Sequence, residues 1–341
     1  MQRPIRLLTY RQVVEIVQHV GVERFMDGLI GWLEECFKKW RMFRIVPRQA
    51  FYYPWGVMES MPITDDDIYV VKVVNGHPNN PSRGLLSVVA LGVMAEAETG
   101  YPVLLCDATL LTAFRTAATS ALAAKYLARE DSRVLGILGT GAQSEFQCLA
   151  ISRVRSVERV LIYDVDLRAM EKFERNMPCF NVERAGDARS LVEESDILVT
   201  ATAGRGRRSL VRDEWVRPGI HINAVGGDAP GKTELDPRIL LRAKIVVEYL
   251  EQAKVEGEIQ NVDPGIVYAE LWELACGLKP GRTSGEEVTV FDSVGIALED
   301  WAALTYINRL ARDMGIGQLV ELFPAPGNPK NLYGALLSIP Y

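Results

Sequence analysis

Residues 133–147 read Arg133-Val134-Leu135-Gly136-Ile137-Leu138-Gly139-Thr140-Gly141-Ala142-Gln143-Ser144-Glu145-Phe146-Gln147. The apolar run Val134–Leu138 predicts a short buried strand. Gly139 then permits a tight turn, and Gly141 lets the backbone approach a pyrophosphate. A helix is predicted to start at Ala142, so that its N-terminal amides face the anion. The third small position is Ser144 rather than glycine. A second predicted strand, Val160–Tyr163, ends at Asp164. A carboxylate there accepts hydrogen bonds from both ribose hydroxyls and repels a 2′-phosphate. The pattern favours NAD over NADP, with Arg168 nearby as the opposing feature. The plainer alternatives are a simple strand–helix turn for the glycines and a solvated turn carboxylate for Asp164.

Outward from this unit, strand and helix signals alternate. A helix is expected at 166–175, and Ile197–Thr200, Ile220–Val225 and Ile245–Val247 are further apolar strands. Such alternation implies a parallel sheet covered on both faces. The N-terminal part differs. Residues 9–40 predict two amphipathic helices: Thr9 is a candidate cap, and Val13, Val14, Ile16, Val17 and Val20 recur at helical spacing. Over 41–115, apolar segments such as Ile68–Val74 and Leu85–Leu91 are separated by turn residues, including Asn75–Pro81. These predict an antiparallel sheet. Residues 116–129 form an Ala-rich helix and 295–314 another. The tail from Phe323 is expected to pack back on the first unit. The fold class is α/β: a Rossmann-type doubly wound parallel sheet domain plus a discontinuous α+β substrate and dimerisation domain. The expected division is 1–118 with 315–341 for the latter and 119–314 for the former.

With 341 residues and a formal net charge of -6, the chain has no basic run for a phosphate backbone, so no nucleic-acid partner is expected. Cys36, Cys106, Cys148, Cys179 and Cys276 are scattered and odd in number. They predict reduced, mostly buried thiols in a cytoplasmic protein. His19, His77 and His221 show no zinc spacing, so no metal is expected. No stretch approaches 18 uncharged apolar residues, so no membrane span is expected.

Four charges stand in apolar or turn-rich surroundings. They are Arg48, Glu59 in WGVMESMP, Lys72 in IYVVKVV and Arg115 in LLTAFRTAAT. A charge in such a strand is costly to bury unless paired or bound to a ligand. Otherwise each marks the exposed face of a half-buried strand, the simpler reading for Arg48. Further on, the predicted strand HINAV ends in Gly226-Gly227-Asp228. Ligands bind beyond the carboxyl ends of parallel strands, which places Asp228 near a bound nicotinamide. A loop-capping aspartate is the alternative.

Several segments together resemble the ornithine cyclodeaminase/mu-crystallin family: KVVNGHP (72–78), GYPVLL (100–105), FRTAATS (114–120), GTGAQSEFQ (139–147), NAVGGDAPGKTEL (223–235), VEGEIQ (255–260) and VTVFDSVGIALED (288–300). The resemblance implies roles position by position. Arg48, Lys72 and Arg115 would hold the substrate α-carboxylate, and Glu59 would face its distal amine. Asp228 would be the catalytic acid/base, with Lys72 handling the α-amine proton. Ser293 and Val294 would lie beside substrate and nicotinamide. Ser87, Thr116, Gly139, Gly141, Ala142, Gln143, Asp164, Thr202, Asn223, Ala224, Val225 and Lys232, with Arg115, would contact the cofactor. Ala229 departs from the Cys that relatives often carry. The implied activity converts L-ornithine to L-proline and ammonia with internally recycled NAD, in a homodimer. Rival expectations are a lysine cyclodeaminase giving pipecolate, a ketimine reductase or amino acid dehydrogenase, and a mu-crystallin-like binding protein.

Overall fold

A computed structural model describes residues 3–204, 206–324 and 328–337. Its first sheet contains β1 (Ile5–Leu8), β2 (Arg44–Ile45), β3 (Gln49–Tyr53), β4 (Gly56–Thr64), β5 (Ile68–Gly76), β6 (Val88–Glu96) and β7 (Pro102–Asp107). Strands β4 to β7 pair antiparallel, as expected for this region. At one edge β1 runs parallel to β7, and the strand Gln318–Val320 pairs antiparallel beyond β1. The tail thus returns to this sheet, and Phe323 meets the ring of Tyr101. One expected strand is shortened. The run from Leu85 becomes a strand only at Val88, because Gly84 takes a left-handed backbone and leaves Leu85 and Leu86 exposed.

Strand periodicity decides which side chains point inward. On β5, Val70, Lys72 and Val74 are buried while Tyr69 and Val73 are exposed. On β4, Glu59, Met61 and Ile63 are buried. Lys72 pairs with Met61 and Glu59 with Val74, so the two charges are diagonal neighbours on the inner face. Helices α1 (Tyr10–Val20), α2 (Val22–Lys38) and α3 (Thr109–Leu127) belong to this half. A Thr9–Gln12 capping box starts α1. Helix Ala297–Met314, set with the nucleotide unit by the expected 119–314 boundary, packs against β4, β5 and β6. A cluster of Phe25, Phe114 and Tyr306 seals α2, α3 and that helix together. Each large apolar side chain fully buried here contributes about 1.5–3 kcal/mol.

The second sheet orders β10 (Val182–Arg184), β9 (Arg159–Tyr163), β8 (Val134–Leu138), β11 (Ile197–Thr200), β13 (His221–Ala224), β17 (Thr289–Asp292), β15 (Lys244–Val247) and β16 (Val267–Glu270), all parallel. Strands β12 (Arg207–Val211) and β14 (Thr233–Leu235) form a separate pair. Chain order runs to one side from β8 through β9 and to the other from β11, which makes their junction the topological switch. Helix α3 contacts both sheets, and its alanines allow the close approach. It starts earlier than the expected 116 because Thr109–Phe114 continue the helical pattern.

Candidate active site

Strands β8, β11, β13 and β17 are neighbours, so their carboxyl ends open side by side. The turn after β8 carries Gly139, whose φ of +96° and closeness to the Ala201 carbonyl exclude a side chain. At Gly141 a Cβ would meet nothing within 4 Å among the described residues. The following helix begins at Ser144 rather than the expected Ala142, because the Ser144 hydroxyl donates back to the Gly141 carbonyl at 2.8 Å. The Gln143 amide oxygen is buried and has no hydrogen-bond partner among the described residues. Asp164 accepts from the Thr140 backbone N–H at 2.6 Å and from the Asp166 N–H at 3.0 Å, while Arg168 is exposed. An open glycine cradle, an unsatisfied amide oxygen and a carboxylate ending β9 fit a dinucleotide without a 2′-phosphate.

The other expected cofactor positions spread over the same rim. The Thr202 N–H donates to Glu234 at 2.9 Å, and Glu234 fills the space beside Gly226. Asn223 and Ala224 form the buried end of β13, Val225 follows directly and is buried too, and the Asn223 side chain faces His221 at 3.2 Å. Lys232 bonds Asp228 at 2.8 Å. Thr116 is buried in α3 next to Arg115. Ser87 lies just before β6, its carbonyl accepting from the His77 N–H.

The expected substrate residues converge from both sheets. The Arg48 side chain is only 6% exposed, so it is not the surface residue of the simpler reading. It lies in the β2–β3 connection. Its Nη1 donates to both Glu59 oxygens at 3.1 Å, and its Nη2 donates to the carbonyls of Val294 and Gly295. Burial opposes its charge, but Glu256 and Glu59 hold its pKa above the ordinary value, with a further contribution from Asp228. Asp228 itself is largely exposed at the mouth. Gly295 has φ +78° and lies hard against the Arg115 guanidinium, so the two arginines flank one glycine. Arg115 donates to Glu299 and lies 3.2 Å from Asp300. Lys72 donates to Asp300 at 2.7 Å. Burial first, then Arg115, lowers its pKa from 10.5 to about 8 against the pull of Asp300.

Four carboxylates of this site escaped the sequence reading: Glu248, Glu256, Glu299 and Asp300. Glu248 accepts from the Ser293 hydroxyl and the Val294 N–H, both at 2.7 Å, and from the Gly295 N–H at 3.1 Å. It thereby holds the loop after β17. Burial raises the pKa of both Glu248 and Glu299; Arg115 opposes this at Glu299, while the neighbouring Glu248 and Asp300 add to it. Glu299 and Asp300 lie in the first turn of helix Ala297–Met314, where the helix dipole favours negative charge. A usable signal was present for three of them: Glu248, Glu299 and Asp300 interrupt or end apolar runs, IVVEYL and GIALED, much as Lys72 does. Among the described residues, no cluster of three or more acids, histidines or cysteines could hold a metal.

The family model for the ornithine cyclodeaminase/mu-crystallin family matches residues 10–314. The ornithine cyclodeaminase of Agrobacterium fabrum is 42% identical over 98% of this chain and 95% of its own length. A solved archaeal alanine dehydrogenase dimer with bound NAD superposes with a TM-score of 0.87 at 37% identity, covering 94% of this chain and all of that one. A lysine cyclodeaminase, solved for its recognition of L-lysine, L-ornithine and L-2,4-diaminobutyric acid, gives 0.90 at 34% identity, covering 98% and 99%.

Proposed function

The chain belongs to the ornithine cyclodeaminase/mu-crystallin family, and from that premise we propose that it converts L-ornithine to L-proline and ammonia with NAD as a recycled cofactor. One observation carries the reading. Three cations, Arg48, Lys72 and Arg115, are buried together, and a carboxylate, Glu59, is buried beside them, paired with Arg48 and a diagonal neighbour of Lys72 on the inner face. That is the charge pattern of an amino acid bearing a second amine: an anion for the cations and a distal ammonium for Glu59.

Arg48, Lys72 and Arg115 grip the α-carboxylate; a guanidinium can do so with two parallel hydrogen bonds. The turns at Gly139 and Gly141, with Gln143 and Asp164, would hold the dinucleotide, which would supply reversible hydride acceptance at the substrate Cα. Lys72, its pKa brought down to about 8, accepts the α-amine proton so that an imine can form at Cα. The distal amine then attacks this carbon within the same molecule, a step favoured by proximity. Asp228, at the mouth of the site, accepts the proton of that amine and passes it to the departing ammonia. Glu248 keeps Ser293, Val294 and Gly295 in register for the substrate.

Two coarser expectations join the proposal. The outer face of the first sheet exposes Phe51, Tyr53, Trp55, Tyr69, Val73 and Leu91. Such a face suits a second copy of the chain, giving a homodimer. No helix is long and apolar enough to cross a membrane among the described residues.

The test supplies L-ornithine with a trace of NAD⁺ and assays proline and ammonia. Turnover far beyond the NAD⁺ added supports a cyclodeaminase. NADH accumulating one-for-one with product would make it a dehydrogenase. Pipecolate from L-lysine with no product from ornithine would move the assignment to the longer substrate.

A further inference from the structure

We propose that the Arg48–Glu59 ion pair is a placeholder for the substrate, broken at both ends when a diamino acid binds, while Glu256 stays on Arg48 as its permanent counter-ion. The proposal rests on the cyclodeaminase reading above and concerns how its site selects substrate and releases product. Two carboxylates serve one guanidinium, but they are anchored differently. Glu256 lies 3.4 Å from Arg48 Nε, accepts from the Tyr52 hydroxyl at 2.9 Å and accepts from the Gln252 amide at 3.0 Å. The same Gln252 accepts from the Arg48 backbone N–H at 2.7 Å. Glu256 and the Arg48 main chain are thus tied into one unit. Among the described residues, the Glu59 carboxylate hydrogen-bonds to Arg48 alone. It can leave without unmaking any other bond.

The consequence follows from burial. Glu59 is 8% exposed, and a buried carboxylate stripped of its partner is costly. A substrate carboxylate reaching Arg48 Nη1 must displace Glu59. An amino acid with one amine leaves Glu59 stranded. A diamino acid brings an ammonium to it, so both halves of the broken pair are replaced. Glu256 keeps the guanidinium neutralised and oriented during the exchange. Moving Glu59 off Arg48 also separates it from Glu256, relieving the like charge between them. The ring nitrogen of proline is bonded to Cα and cannot serve Glu59, so the original pair re-forms and favours product release.

The experiment measures binding of L-ornithine and L-norvaline, the same chain without the distal amine, to the NADH-bound protein by calorimetry. The wild type is expected to prefer ornithine by about a hundredfold or more, the scale on which breaking a buried pair is felt. In Glu59→Gln the preference should fall below about tenfold, mainly because norvaline binds more tightly once no ion pair has to be broken. If norvaline affinity stays the same or weakens in this variant, exchange is overturned and Glu59 only contacts the amine. In Glu256→Gln the KM for ornithine should rise about tenfold with kcat within about threefold and NADH binding retained. An unchanged KM, or a fall in kcat alone, overturns the counter-ion role. Should that variant fail to fold, Tyr52→Phe, which removes one tether of Glu256, should raise KM in the same direction; an unchanged KM there also overturns it. A wild type that binds but never turns over ornithine defeats the cyclodeaminase reading itself. Turnover without the norvaline effect defeats the exchange alone.

Discussion

Lys72 offers the sharpest quantitative test. Its amine is buried between Asp300, at 2.7 Å, and the charge of Arg115. Burial leads and Arg115 follows in bringing its pKa from 10.5 to about 8. That change favours the neutral amine by about 3 kcal/mol. At pH 7 about one Lys72 in ten is neutral, against about one in 3,000 for an ordinary lysine. If the neutral amine accepts the α-amine proton, kcat/KM should climb about tenfold per pH unit below 8 and fall again once the α-ammonium of ornithine has lost its own proton. The α-ammonium of ornithine titrates nearby, so the limb has to be assigned by moving Lys72. Asp300→Asn does this, because Asp300 is the group that holds the lysine pKa up. The limb should then shift to lower pH by about one unit. Lys72→Arg should lose about 10²- to 10⁴-fold in rate. A limb that stays in place in Asp300→Asn belongs to the substrate, and the general-base role of Lys72 fails. The same shift acts on the fold. An unfolded Lys72 keeps its proton up to 10.5, so burying it charged costs stability below pH 8, and that cost fades between about 8 and 10.5.

Asp164→Ser should let NADP compete, with its KM falling about tenfold or more, since the carboxylate that repels a 2′-phosphate is gone; an unchanged NAD preference in cofactor kinetics would count against its ribose role. Asp228→Asn should abolish turnover while NADH fluorescence titration stays near normal; retained turnover would contradict its place in proton transfer. Burial pushes Asp292 up to about 7 despite its two backbone donors, Glu258 N–H and Ile259 N–H. Its stabilising protonation is therefore complete below 3.8 and lost as pH rises to about 7, and a urea stability profile of Asp292→Asn should lack that slope. Val73→Glu with Leu91→Lys should shift a dimer toward monomer in sedimentation; an unaltered mass would remove the sheet face from the interface.

The parallel sheet was legible because its strands are short apolar runs punctuated by glycine, and the register of Gly139 and Asp164 with those runs pointed to the turn proposed for the nucleotide. The antiparallel sheet was legible in outline, but Leu85–Ser87 mimicked a strand. Their apolar character alone could not reveal that Gly84 bends the chain at φ +71°. The inward placement of Glu59 and Lys72 was readable as a conflict between charge and apolar context. Arg48 was not, since it lies in a connection where no periodicity distinguishes a buried side chain from an exposed one.

What local pattern could not supply was the pairing. Three buried cations cannot stand together without anions, because desolvation and mutual repulsion would strip a proton from the most labile of them. The sequence places Arg48, Lys72 and Arg115 early, and the balancing acids Glu248, Glu256, Glu299 and Asp300 arrive more than 130 residues later. Only the fold brings them together, through the loop after β15 and the first turn of helix Ala297–Met314. The compensation is deliberately incomplete at Lys72. Burial and then the charge of Arg115 outweigh the pull of Asp300, which Arg115 also shares, so the lysine, unlike the guanidiniums, ends with a pKa within reach of neutral pH. On the proposed mechanism, a site that neutralised all three cations equally would bind the carboxylate but have no base. Burial of Lys72 beside Arg115, with one aspartate between them, would separate the two tasks.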